Sequence, residues 1–113
     1  MAYDGLKFVR PRVLDCVRAA SEVFGVPVED VTGPRRFRKF MEPRRAAMHV
    51  ARRYGQSFSH IGRVIGNRDH STVIYAVRDV EHFLNGRDPK FARMIEATDQ
   101  RAIELALMRM GAK

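Results

Sequence analysis

Val13, Leu14, Val17, Ala20 and Phe24 recur at the spacing of one helix face, and Gly25 just past the last of them is a stop signal, so a first helix is predicted there. Pro27 to Val31 has room for one short helical turn before Thr32, Gly33 and Pro34 break it. The basic stretch Arg35 to Glu42 reads as a loop, with Pro43 at the first position of a third helix, where its missing N–H costs nothing. Ala47, Val50, Ala51 and Tyr54 give that helix one apolar stripe, ended by Gly55. Ser57 or Ser59 can cap a short fourth helix with Ile61, Val64 and Ile65 turned inward, and Gly66 and Asn67 offer the left-handed backbone that ends it. Val73, Ala76, Val77, Val80 and Leu84 form the buried stripe of a fifth helix, stopped at Asn85 and Gly86. Asp88 then caps a last helix with Pro89 inside its start, and Phe91, Ile95, Ala102, Leu105 and Met110 are its candidate core contacts. Nothing alternates convincingly at period two, and no repeat or low-complexity tract occurs. The pattern predicts an all-α fold, a compact helical domain of about six helices.

The join between the fourth and fifth helices carries the chemistry. Gly66-Asn67-Arg68-Asp69-His70-Ser71-Thr72 is a polar turn with a helix starting inside it, the place where a helix-turn-helix protein puts the residues that read DNA. Capping accounts for Asp69, Ser71 and Thr72, but not for Arg68 and His70 beside them. Together the five side chains supply donors, acceptors and a methyl group at one helix N-terminus, which is the set needed in a major groove. Asp69 can accept from a cytosine amino group, His70 can bond a base edge, and the Thr72 methyl suits a thymine methyl. Ser71 and the helix N-terminal amides suit a phosphate.

Charge strengthens this reading. The 113 residues carry a formal charge of +8, and between Arg35 and Arg53 stand Arg35, Arg36, Arg38, Lys39, Arg44, Arg45, Arg52 and Arg53 against the single acid Glu42. Nearly all of the excess therefore lies in one segment, which points to a polyanionic partner rather than to ordinary solubility, where the two signs are interspersed. Arg44, Arg68 and Arg52 or Arg53 are candidates for phosphate or guanine, and Lys39, Arg45 and Arg63 complete the set expected along the DNA backbone.

Other chemistry finds no support. The chain contains no nucleotide-phosphate loop, its four histidines do not form a metal-binding helix motif, and its one cysteine, Cys16, provides neither a zinc framework nor an intrachain disulfide. Cys16 falls in an apolar helical stretch, where buried packing is expected rather than reactivity. Gly62 and Gly66 spell a membrane dimer motif, but Arg63 between them removes its meaning. Met1 to Arg12 lacks the apolar run of a signal peptide, and no stretch reaches the roughly 18 apolar residues of a membrane span. Neither enzyme activity, cofactor, metal nor membrane is expected, and the protein is placed in the cytoplasm.

The run Pro43-Arg44-Arg45-Ala46-Ala47-Met48, followed by Ile61 to Val73 with the core Arg68-Asp69-His70-Ser71-Thr72-Val73, closely resembles the C-terminal DNA-binding domain of the bacterial chromosomal replication initiator DnaA. The similarity runs from about Val13 to about Ile103 and is strongest over 28–84. It implies a helix-turn-helix fold of the Trp repressor-like kind that binds duplex DNA at the initiator's recognition boxes. By the same resemblance, Arg36 matches the arginine that enters the minor groove, with Arg35 and Arg38 beside it. Arg44 and Arg45 match positions near the third helix that touch DNA, and Arg68, Asp69, His70, Ser71 and Thr72 match the signature that enters the major groove. The chain departs from the family pattern at Arg45 in place of a common Gln, Ser71 in place of Thr, Asn67 in place of Gly, and at Glu42, an acid near the expected DNA backbone.

The resemblance further implies a sequence-specific double-stranded DNA-binding protein that regulates replication initiation or transcription at the nucleoid. The initiator's ATPase domain has no counterpart here, so the expectation is a free-standing domain at 13–113 behind a leader at 1–12. The alternative is a protein-interaction module that binds the initiator or another regulatory protein and keeps only residual DNA affinity. Retention of Arg36, Asp69, His70 and Thr72 favours DNA.

Overall fold

The computed structural model describes residues 9–84 and 88–111. The first eight residues of the leader and the stop signal at Asn85 and Gly86 lie outside the described residues, as does the side chain of Leu84. Six helices are described, α1 (Val13–Phe24), α2 (Val28–Thr32), α3 (Arg38–Arg53), α4 (Phe58–Val64), α5 (His70–Leu84) and α6 (Pro89–Arg109), with no strand among those residues. The fold is all-α and compact, as the periodicity predicted.

The core forms where α1 packs on α3 and α6, and α5 packs on α3 and α4. Small residues make the close contacts: Ala19, Ala20, Ala46, Ala47, Ala51, Ala102 and Ala106 are wholly buried, which lets neighbouring helix axes approach. Val17, Val50, Ile61, Ile65, Val73, Val80 and Ile95 fill the volume between them. Cys16 is part of this core, and burial, followed by the charges of Asp15 and Asp99, pushes its thiol up to about 12, so it stays protonated and inert. The remaining part of the expected leader is docked: Val9 is buried, Arg10 donates to the carbonyls of Tyr54 and Gly55 at 3.1 and 2.6 Å, and Gln56 donates to the Pro11 carbonyl at 2.9 Å.

Three details differ from the expected pattern. Leu14 is 48% exposed and Met110 58% exposed, so neither belongs to the stripe assigned to it. On α6 the buried face runs instead through Phe91, Ile95, Thr98, Ala102 and Ala106. Thr98 is admitted because its hydroxyl bonds the Met94 carbonyl one turn back at 2.8 Å. Third, α3 begins at Arg38 rather than Pro43, so Arg38 to Glu42 are helical and Pro43 lies inside the helix. The early start is anchored by Phe40, which is buried, and by the Phe37 carbonyl, which accepts from the N–H groups of Phe40 and Met41 at 2.9 and 3.0 Å. Pro43 removes the bond that would reach the carbonyl of Lys39, an exposed residue where water can replace it.

The turn between α4 and α5 depends on two glycines. A Cβ on Gly62 would overlap the Arg68 carbonyl, and one on Gly66 would meet both the Thr32 carbonyl and the Arg68 guanidinium. Gly66 and Asn67 both have positive φ, 75° and 54°, and the Arg68 N–H closes the turn onto the Gly62 carbonyl at 2.6 Å. The Gly62 and Gly66 spacing thus serves a tight interhelical turn.

Candidate nucleic-acid interface

Ser57 caps α4 by accepting from the His60 N–H at 3.1 Å, and this short helix sets the angle at which α5 leaves the turn. At the start of α5, Asp69 Oδ2 accepts from the Ser71 N–H at 3.3 Å and from the Ser71 hydroxyl. These Ser71 bonds hold the Asp69 carboxyl below its ordinary range, with a smaller contribution from His70, whose Nδ1 is 3.5 Å from Oδ1. Capping and display therefore coincide: Asp69 and His70 are exposed in the first turn, while Val73 directly behind them is fully buried and fixes the helix.

The basic loop between α2 and α3 is held from below by two arginines. Arg44, 4% exposed, donates through Nε to the Val31 carbonyl at 2.7 Å and through Nη2 to the carbonyls of Asp30, Gly33 and Arg35 at 2.9 Å each. Arg68 donates through Nη1 to the carbonyls of Ile65 and Thr32 at 2.8 and 3.2 Å, and through Nη2 to the same Gly33 carbonyl. The Gly33 carbonyl is shared between the two guanidinium groups, so the loop and the helix-turn-helix are tied to one point. Burial, then the charges of Arg68 and Arg36, pushes the Arg44 guanidinium down to about 10. Burial and then Arg36 lower Arg68 in the same way. That the charge of Arg36 bears on both buried guanidinium groups marks a concentration of positive charge.

This concentration opens onto a groove of about 550 Å³ lined by Arg36, Arg44, Arg45 and Arg68 together with Thr72, Tyr75 and Asp79. Arg45 pairs with Asp79 across it at 3.6 Å, which links α3 to α5. A smaller recess of about 380 Å³ joins Ser59, Arg63, Asn67, Arg68, Asp69 and His70 on the other side of the turn. The structure thus brings Arg36, Arg68 and Thr72 to one groove, and Arg63, Asp69 and His70 to the recess beside it. Arg35, Arg36, Arg38 and Lys39 are all exposed on the loop and the first turn of α3. Arg38 pairs with Glu42 at 3.5 Å, so the acid that departs from the family pattern is tied to a neighbouring cation.

Some expected contacts are drawn inward. Arg44 and Arg68, expected at phosphate or a base, direct their guanidinium groups to the backbone carbonyls just described. Arg53, expected on the DNA backbone, turns to α6, where it pairs with Glu96 at 3.2 Å and with Asp99. Burial alone would lower Arg53, and the two carboxylates overcome it and raise the group above its ordinary value. Arg52 lies over the Phe58 ring, 4.1 Å from its centroid, and remains exposed. Two exposed aromatic residues went unnoticed in the sequence: Tyr75, 66% exposed in the groove, and Phe37, 55% exposed in the basic loop. The signal for Tyr75 was its place three residues after Thr72, on the same helix face.

Comparison with known proteins agrees with this geometry. Residues 14–80 match the family model described as bacterial dnaA protein helix-turn-helix. Among curated proteins the chain is similar to the chromosomal replication initiator protein DnaA of Wolbachia pipientis wMel, 43% identical over 76 residues, and to that of Anaplasma marginale, 42% identical over 76 residues. The same-named protein of Acinetobacter baylyi is 44% identical over 75 residues. In each case the match covers 66% of this chain and 16% of the relative, which is a much longer protein. The matched family is a helix-turn-helix domain, not a catalytic one, and among the described residues no helix is long and apolar enough to cross a membrane.

Proposed function

Because the chain belongs to the family of bacterial DnaA helix-turn-helix domains, we propose that it binds double-stranded DNA sequence-specifically at initiator-like boxes and regulates replication initiation or transcription at the nucleoid. The observation that carries this reading is the shared groove, in which the loop residue Arg36 and the α5 residue Thr72 face one space although 36 positions separate them in the chain. One element can then follow the minor groove while the other enters the adjacent major groove.

In this reading Arg36 enters the minor groove with Arg35 and Arg38 beside it, where a narrow A·T-rich groove concentrates negative potential. Asp69 Oδ2 is held by Ser71, so Oδ1 is the oxygen that accepts from a cytosine amino group. His70 bonds a base edge, the Thr72 methyl meets a thymine methyl, and Ser71 stands near phosphate. Lys39, Arg45, Arg52 and Arg63 neutralise the backbone. Arg44 and Arg68 position the loop and turn, and Arg53 fixes α3 to α6.

The test is fluorescence anisotropy at physiological salt with two labelled duplexes, one carrying an initiator box and one with its bases scrambled. Much tighter binding to the box is expected. Equal affinity for the two removes sequence specificity, and binding to neither, with the initiator protein captured instead, favours the interaction-module alternative.

A further inference from the structure

Phe37 stands in the middle of the exposed run Pro34 to Lys39. A phenyl ring on a loose loop would fold back onto apolar surface, because water contact is unfavourable. Here the backbone on either side of the ring is pinned. Two residues earlier the Arg35 carbonyl is held by Arg44 at 2.9 Å, and the Phe37 carbonyl itself receives the first N–H groups of α3 from Phe40 and Met41. The ring meets Phe40 edge-on, with centroids 5.6 Å apart and planes at 63°, so one edge is braced while 55% of the residue remains in solvent.

The surroundings define what can cover it. Arg35, Arg36, Arg38 and Lys39 stand on either side of Phe37 in the chain, and all four are exposed. An apolar protein surface would have to desolvate those cations, whereas a nucleic acid offers phosphates to the cations and stacked bases to the ring. We propose that Phe37 is a minor-groove wedge: its ring enters beside Arg36, partly unstacks one base step and bends the duplex. Apolar side chains that part base steps next to groove-lining arginines act in this way, and a braced ring loses little freedom on insertion. The inference rests on the DNA-binding reading above and adds deformation of the DNA to it.

The experiment uses the full chain and a duplex with one initiator box, 2-aminopurine placed in turn at each adenine, and a donor and acceptor dye on its two ends. The wild-type chain is expected to raise 2-aminopurine emission at one step and to shorten the end-to-end distance. Phe37→Ser should lose both signals and bind about tenfold more weakly, with its helical content by circular dichroism kept, since serine is favoured at this position before the first turn of α3. Phe37→Leu should keep part of each signal. The wedge is overturned if Phe37→Ser bends and unstacks the duplex as the wild type does, or if the wild type binds the box without unstacking any step. A wild-type chain that binds no duplex overturns this inference and the DNA-binding reading together.

Discussion

Replacing Arg44 by Met keeps most of the buried stem and removes every donor, which separates a structural arginine from a phosphate-binding one. In the folded protein its guanidinium serves the carbonyls of Val31, Asp30, Gly33 and Arg35. The Gly33 carbonyl keeps Arg68, and Arg35 is exposed and can turn to water, so the uncompensated losses are at Val31 and Asp30. A buried acceptor left unpaired costs about 1–3 kcal/mol, in full at the buried Val31 and in part at the half-buried Asp30, which gives roughly 2–5 kcal/mol for the two. Relief of the cation's own desolvation offsets part of this, and about 3 kcal/mol is expected. For a domain of this size that lowers the thermal midpoint by roughly 10–25 °C. Melting followed by circular dichroism measures it, with duplex affinity determined across a salt series at a temperature where the variant is folded. A midpoint within about 2 °C of wild type, with a salt dependence flattened by about one unit, would refute the reasoning and return Arg44 to a phosphate.

Asp69→Asn should keep the helix cap, since Asn caps as well as Asp. With its oxygen held by Ser71, its amide would meet the cytosine amino group donor to donor, so discrimination by about 1–3 kcal/mol should be lost at one base pair at constant melting temperature. Competition with boxes substituted one position at a time reads this. Arg53→Met should destabilise the domain by about 1 kcal/mol in urea, since Glu96 is exposed and Asp99 keeps the Tyr54 hydroxyl, while the salt dependence of binding stays as in wild type; a slope reduced by about one would place Arg53 at a phosphate. His49 is buried, and burial followed by Arg53 lowers its pKa below 6.5, against the opposing pull of Glu81, Glu96 and Asp99. The unfolded chain therefore binds the proton more tightly, so stability is whole above pH 6.5 and is lost as pH falls through that value toward the folded-state pKa. Urea midpoints between about pH 8 and about pH 5 should show that decline, and His49→Gln should flatten it.

Helix existence was legible in the sequence because periodicity is a local property. Val73, Ala76, Val77 and Val80 had to share one side of a helix wherever that helix went, and all are buried. The signature turn was legible for a related reason: positive φ at Gly66 and Asn67 and a cap at Asp69 are short-range requirements. The start of α3 was not, since Pro43 satisfies a first position equally well, and only burial of Phe40 extends the helix back to Arg38. Leu14 shows the same limit, because an apolar residue next to a stripe has no local mark of whether a neighbouring helix covers it.

By itself, the sequence determined an all-α chain, a concentration of positive charge in one segment, and a polar helix start with the functional groups of a base reader. Tertiary structure decided which cations are available outside. Arg44 reaches Val31 across 13 positions, Arg68 reaches Gly33 across 35, and Arg53 reaches Asp99 across 46. A guanidinium takes the partners that folding brings within its reach, and buried carbonyls and carboxylates must be paired. The cations that folding leaves outside, with Phe37 braced beside them, are those still free to meet a polyanionic partner.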